Sequence, residues 1–105
     1  MNRELRFTPS AEAALRDLGR DAHHAGLLKQ VRKTLGLLET DIRHPSLRTH
    51  EFQSLRGPNG EKVFEPYVQS RTPAAWRIFF FYGPDRVEKG RKVPVLTIVA
   101  LTAHP

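Results

Sequence analysis

One stretch of seven residues decides how the rest of the chain is interpreted: Trp76-Arg77-Ile78-Phe79-Phe80-Phe81-Tyr82. Its side chains are aromatic or β-branched almost throughout, and this composition predicts a β-strand. Successive side chains point to opposite faces of a strand, so one face would carry only apolar and aromatic groups, namely Trp76, Ile78, Phe80 and Tyr82. The opposite face would carry a charged group beside two phenyl rings, namely Arg77, Phe79 and Phe81.

Arg77 has two interpretations, and they are compatible with each other. The guanidinium could contact a phosphate while Phe79 and Phe81 offer stacking surfaces for bases, a combination used in binding single-stranded RNA. Alternatively, Arg77 pairs with Glu65 across the sheet and the two rings are simply buried. The residue pattern alone leaves both open.

Further strands are predicted on both sides of this stretch. Residues 3–7 alternate in polarity, and residues 50–55 form a candidate strand that a turn cluster, Gly57-Pro58-Asn59-Gly60, closes. Residues 63–70 form another, in which Pro66 demands an edge, a bulge or a break. Residues 83–93 are predicted to be a mobile polar loop. The last strand, 95–101, is apolar on both faces and is expected at a central position.

Two helices are predicted between the first and second strands. Thr8-Pro9 has the pattern of a helix start, and an apolar stripe follows it up to Gly19 at Ala11, Ala14, Leu15 and Leu18. A second helix would begin after Asp21 and end at His44-Pro45. Its apolar stripe is Leu28, Val31, Leu35, Leu38 and Ile42.

The resulting order, β-α-α-β-β-β-β, predicts an α+β fold. We expect an N-terminal strand and a two-helix hairpin packed on one face of a mainly antiparallel sheet of four to five strands. Residues 1–105 would form one domain, since about 100 to 150 residues is the usual domain size. The second face of the sheet would be open, and a ligand would bind there.

Composition narrows the classes of function. The chain has no cysteine, which excludes disulfides, thiolate zinc sites and cysteine nucleophiles. The formal net charge of +6 suggests a polyanionic partner, either nucleic acid or an acidic protein tail. The N-terminus has no secretory pattern and no apolar run is long enough for a membrane helix, so we expect a soluble cytoplasmic protein with no membrane partner.

A few polar residues are candidates for chemistry on the sheet. His50 and His104 could act as general acid or base near neutral pH, and Glu65 and Tyr67 lie two residues apart near Arg77. The glycine-rich nucleotide motifs and metal-ligand spacings are absent from the sequence, so we expect no cofactor and no metal site. Three basic residues on the second helix could contact a phosphate backbone or form a solvated face: Lys29, Arg32 and Lys33.

Several short segments, in this order, resemble the RelE/ParE superfamily of bacterial type II toxins. Two segments lie at the first strand–helix junction and after the helical hairpin: Phe7-Thr8-Pro9-Ser10-Ala11-Glu12 and Leu47-Arg48-Thr49-His50-Glu51-Phe52-Gln53-Ser54-Leu55-Arg56-Gly57. The others lie on the later strands: Val63-Phe64-Glu65 and Ala75-Trp76-Arg77-Ile78-Phe79-Phe80. A closing strand ends at His104.

The resemblance implies a toxin held silent by a cognate antitoxin. RelE-like members cut mRNA on the ribosome without a metal, by attack of a ribose 2′-hydroxyl, whereas ParE-like members bind DNA gyrase. By position, Arg77 would contact the phosphate, Glu65 would be the base, and His50, Arg56 and His104 would be further functional groups.

Two features depart from the family pattern. Tyr67 stands where members usually have a basic residue. Only Pro105 follows His104, whereas RNA-cutting members generally continue for several residues and often supply a catalytic tyrosine or lysine there.

Three functions are therefore compared. The favoured one is a metal-independent endoribonuclease using Arg77, Glu65, His50 and His104. The second is a toxin that binds gyrase, for which exposed Phe79 and Phe81 would be the contact, and the third is a non-toxic module that binds RNA or protein. In each case we expect the open sheet face to be covered by an antitoxin or by a second copy of the chain, as in a homodimer.

Overall fold

The computed structural model describes residues 2–68 and 76–103. Two α-helices are present in these ranges, α1 at Pro9–Arg20 and α2 at Ala25–Thr40. Short 3₁₀ turns lie at Ala22–His24 and Pro45–Leu47. The strands are β1 Glu4–Phe7, β2 His50–Arg56, β3 Lys62–Glu65, β4 Trp76–Tyr82, β5 Arg86–Glu88, β6 Arg91–Val93 and β7 Val95–Ala103.

The fold is α+β, with a five-stranded sheet in the order β1-β7-β4-β3-β2. Only β1 runs parallel to its neighbour, with Leu5 opposite Leu96, and the other pairs in this sheet are antiparallel. The predicted layout is confirmed: a first strand, a helical pair and a mainly antiparallel sheet. The last strand is central as expected, because β1 and β4 flank β7 on its two sides.

The first helix begins where the sequence predicts. The Thr8 hydroxyl accepts a hydrogen bond from the Ala11 amide at 3.3 Å, and Pro9 occupies the first turn, where a missing N–H has no cost. The same hydroxyl contacts the Val99 carbonyl at 3.1 Å as donor. Val99 is the extra residue of a bulge in β7, since Phe79 pairs with Ala100 and Phe80 with Ile98.

The second helix is shorter than predicted. It ends at Thr40 and not at His44: the Asp41 amide still donates to the Leu37 carbonyl at 2.7 Å, but Asp41 itself adopts an extended φ of −151°, which stops the helix. Ile42 therefore lies beyond the helix, half-buried against the same core. The apolar stripe misled the prediction because a turn can continue an apolar contact after the helix has ended.

The predictions for two later segments were also wrong in part. The strand predicted over 63–70 ends at Glu65, because Pro66 has no N–H to donate to a sheet, and residues 69–70 lie outside the described ranges. Residues 83–93 were predicted to be a loop, yet β5 and β6 form a hairpin there. Its turn places Lys89 and Gly90 at φ of 51° and 75°, the backbone that a tight two-residue hairpin requires.

Both faces of the sheet are packed. The helices cover the first face, where the core includes Leu38, Ile78, Phe80 and Ile98. On the helix-free face, a second and smaller core contains Val63, Phe79 and Phe81, with Phe52, Val99 and Ala100 packed against it. No helix in the described ranges is long and apolar enough to cross a membrane.

The prediction that Phe79 and Phe81 are exposed is wrong. Their relative exposures are 4% and 3%, because they pack on neighbouring strands of their own sheet. Buried rings cannot stack on RNA bases or contact gyrase. Because the chain itself buries these two rings, no partner is needed to cover them.

We expect Phe81→Ala to destabilise the protein by about 3–5 kcal/mol, the usual cost of deleting a buried phenyl ring. Urea denaturation followed by circular dichroism measures this free energy of unfolding. Val87→Ala is the control, because Val87 is 74% exposed on β5 and its truncation should change stability by less than about 0.5 kcal/mol. Equal stability of Phe81→Ala and wild type would show that the helix-free face is not a core.

Candidate active site

Three polar side chains from adjacent strands meet on the helix-free face. His50 begins β2 and lies directly opposite Glu65 of β3. Phe64 pairs with Phe80, so Glu65 and Arg77 point to the same side of the sheet. The sequence predicted all three as catalytic candidates, and the structure brings them together. We call them the His50–Glu65–Arg77 cluster.

Arg77 and Glu65 form a two-pronged ion pair. The Arg77 Nε–H donates to Glu65 Oε2 at 2.6 Å, and Nη2 donates to Oε1 at 2.8 Å. Their side chains are only 25% and 12% exposed. Paired geometry of this kind is the strongest form of arginine–carboxylate contact. Of the two interpretations of Arg77, the pairing with Glu65 beside buried rings is therefore the one that the structure shows.

The ion pair shifts the acidity of both partners. Hydrogen bonding from Arg77 lowers the pKa of Glu65, and the charges of Arg77 and His50 act in the same direction, while burial opposes them. Hydrogen bonding to Glu65 raises the pKa of Arg77. Glu65 is therefore ionised at neutral pH despite its burial.

Aromatic rings hold the guanidinium in place. The Arg77 Cζ lies 4.8 Å from the ring centroid of Phe79 and 5.1 Å from that of Phe52. The faces of a phenyl ring are electron-rich, so both contacts favour the cation. Apart from the bond between Nη2 and Glu65, Nη1 and Nη2 make no hydrogen bond to a described residue, and their outward N–H groups can donate to a phosphate in the same two-pronged geometry.

His50 lies at the exposed end of the cluster, with 61% of its side chain accessible. Its Nε2 is 3.2 Å from Glu65 Oε1, and its Nδ1 is 3.4 Å from the Arg48 carbonyl oxygen. A carboxylate and a carbonyl can only accept hydrogen bonds, so the tautomer with a proton on Nε2 donates to Glu65 and the tautomer with a proton on Nδ1 donates to the Arg48 carbonyl. The exposed imidazole is accessible to a ligand bound above Glu65.

A pocket of about 330 Å³ adjoins the cluster. All three members of the cluster contribute to its wall, and Arg48, Tyr67 and Trp76 also line it. The Tyr67 ring is 49% exposed. Of the residues predicted to bind RNA, only Tyr67 lies in this pocket.

The other predicted RNA-binding residues lie elsewhere. Arg56 is at the opposite end of β2, about 20 Å along the strand from His50, and forms an ion pair with Glu51 at 3.5 Å. Lys29 and Arg32 are exposed on α2, on the other side of the sheet from the cluster. Lys33 lines a separate small pocket that shares Tyr67 as a wall. His104 lies outside the described residues.

Arg48 is a site residue that was not predicted individually. It ends the 3₁₀ turn at a φ of 42°, in the left-handed region, and its guanidinium lies 5.6 Å from the ring centroid of Tyr67. Its position two residues before His50 was the available signal. That signal was weak, because Arg48 precedes the strand and its backbone conformation decides where the side chain lies.

No group of three or more potential metal ligands occurs in residues 2–68 and 76–103. The chain has no significant match among models of protein families, among curated proteins or among solved structures. The argument for function therefore depends on the geometry of the His50–Glu65–Arg77 cluster.

The lowered pKa of Glu65 predicts an acid-sensitive contribution to stability. The ion pair stabilises the folded state above the ordinary pKa of 4.5, and this contribution is lost as the pH falls through the lowered value. From about pH 6 to about pH 3, wild type should therefore lose more free energy of unfolding than Glu65→Gln. Urea denaturation at each pH measures the difference.

Glu39→Gln is the matched control for the change in net charge. Glu39 is exposed on α2 and its side chain has no ion pair with a described residue. Identical acid dependence in wild type and Glu65→Gln would show that the Arg77–Glu65 pair does not stabilise the fold.

Proposed function

We propose that this protein is the toxin of a type II toxin–antitoxin system and a metal-independent endoribonuclease that cleaves mRNA on the ribosome. The observation that carries the proposal is the His50–Glu65–Arg77 cluster. It combines a carboxylate, an imidazole and a guanidinium within hydrogen-bonding distance at the edge of a pocket. A general base, a general acid and a fixed cation are the groups that can transfer a phosphoryl group to a ribose hydroxyl without a metal.

Arg77 is assigned to the scissile phosphate. Its Nε edge holds Glu65, while its Nη1–Nη2 edge binds two non-bridging phosphate oxygens. Negative charge increases on these oxygens in the transition state, and a fixed guanidinium stabilises it without reorganisation. The ring contacts to Phe52 and Phe79 keep the group in position.

Glu65 and His50 are assigned to the two proton transfers. Glu65 takes the proton of the 2′-hydroxyl as its oxygen attacks phosphorus, and His50 gives a proton to the 5′-oxygen as the P–O5′ bond breaks. The products are a 2′,3′-cyclic phosphate and a 5′-hydroxyl. A phosphate that shares Arg77 weakens the hold of the guanidinium on Glu65, which makes the carboxylate a better base.

The net charge of +6 supports the two classes of partner in this proposal. An acidic antitoxin segment would cover the basic surface, and mRNA would bind it when the antitoxin is absent. We place the protein in the cytoplasm, where both would be found. The burial of Phe79 and Phe81 removes one of the two observations that favoured the gyrase alternative.

The proposal predicts that induced expression in bacteria arrests growth and produces new mRNA 5′ ends in phase with codons. His50→Gln and Glu65→Gln should each reduce cleavage by about 10²–10⁴-fold, the usual contribution of one general acid or base. Arg77→Lys keeps the charge but loses the two-pronged geometry, so it should also abolish the arrest. Mapping of 5′ ends together with growth curves measures these effects.

Lys92→Gln is the control for a change of charge away from the cluster, because Lys92 is exposed on β6. Full toxicity of Arg77→Lys and His50→Gln would contradict the proposal. Arrest without mRNA cleavage would instead indicate a protein target such as gyrase. Growth without arrest would indicate a non-toxic binding module.

A further inference from the structure

Three residues that line the pocket have no part in the proton transfers or in the binding of the scissile phosphate, namely Arg48, Tyr67 and Trp76. Glu65 and Arg77 line the same pocket. We propose that this part of the pocket binds one nucleobase of single-stranded RNA, with the Tyr67 ring as its stacking surface. The inference rests on the proposed function and names the substrate subsite next to the scissile phosphate.

Tyr67 has a fixed backbone and an accessible side chain. Pro66 is buried and precedes it, and the Tyr67 amide donates to the Leu47 carbonyl, so the backbone is fixed on both sides. Tyr67 is nevertheless 49% exposed, so its ring is accessible to a ligand. Aromatic rings held in this way bind bases of any identity, because every base has a π face.

Arg48 supplies a second, independent observation. Its φ of 42° is a backbone conformation that suits glycine and strains a residue with a Cβ. The guanidinium lies near the Tyr67 ring and makes no ion pair with any described residue. A positive charge on the wall of the pocket complements the phosphate of a bound nucleotide, which gives the strained arginine a role.

The size and surroundings of the pocket fit one nucleotide. Its volume of about 330 Å³ lies at the lower end of the range for small-ligand sites, about 300–1,000 Å³. Pro66 and Val68 make part of the wall apolar, and Arg77 lies at its polar side. A base against Tyr67 and its phosphate at Arg77 would therefore be bound at the same time.

Trp76 allows occupancy to be measured directly. It is the sole tryptophan of the chain and it lines the pocket while packing against the helix-side core, so all tryptophan fluorescence comes from a residue in contact with the pocket. The probe is a single-stranded RNA of twelve nucleotides with 2′-O-methyl riboses, which 2′-hydroxyl attack cannot cleave. The comparison probe is an abasic oligonucleotide of equal length, with the same phosphates and no bases.

We expect the full oligonucleotide to change Trp76 fluorescence on binding and the abasic one to bind without this change. Tyr67→Ala should weaken the affinity for the full oligonucleotide about 5- to 100-fold, the contribution of stacking one base. Arg48→Gly should relieve the backbone strain and still weaken binding, so its loss of affinity would not reflect unfolding. Thermal denaturation verifies that each variant is folded.

Tyr82→Ala is the matched control. The Tyr82 ring is 44% exposed and has Arg3 5.3 Å from its centroid, but it lies at the opposite end of β4 from the pocket. Its truncation should leave the RNA affinity unchanged. If RNA binding instead depended on any exposed tyrosine–arginine pair, both Tyr67→Ala and Tyr82→Ala would weaken the affinity. That result would overturn the assignment of the pocket.

Two outcomes separate the pocket from the proposed function. If Tyr67→Ala binds RNA as wild type does, while Glu65→Gln loses cleavage, the base subsite is wrong and the nuclease stands. The subsite is also wrong if the abasic probe changes Trp76 fluorescence as much as the full one. If wild type neither binds nor cleaves RNA, both proposals fail.

Discussion

The ion pair between Arg77 and Glu65 is the interaction on which the helix-free side of the molecule depends. It joins β3 to β4 through two short hydrogen bonds, and its guanidinium covers the rings of Phe52 and Phe79. Separating the pair would leave a largely buried carboxylate without its partner, which is strongly unfavourable. The same contact therefore closes the second core and keeps Glu65 ionised beside His50.

This constraint explains why a small sheet with helices on one side can still be packed on both. The helices cover Ile78 and Phe80, whereas Val63, Phe79 and Phe81 are buried by neighbouring strands and capped at one end by Arg77. The charged groups of the His50–Glu65–Arg77 cluster lie at the end of the face where β2 begins and β3 ends. The pocket lies at that end because Pro66 stops β3 there.

Much of the architecture could be predicted from local pattern. The bounds of β4, the Thr8 cap and the break at Pro66 each depend on a few adjacent residues, and the pairing of Arg77 with Glu65 followed from two strands that alternate. The end of α2 and the burial of Phe79 and Phe81 could not be predicted, because they depend on how distant strands and turns pack. Arg48 could not be predicted either, because the position of its side chain depends on one backbone angle. His104 remains a prediction outside the described residues.

The chemistry of the cut ends tests the central claim most directly. Purified protein would be added to ribosomes stalled on a defined mRNA, and both termini at each cut would be identified by enzymatic end-labelling and mass spectrometry. Attack by the 2′-hydroxyl at the His50–Glu65–Arg77 cluster predicts 2′,3′-cyclic phosphate and 5′-hydroxyl ends, absent with Glu65→Gln. Intact mRNA, or 5′-phosphate and 3′-hydroxyl ends, would contradict the account.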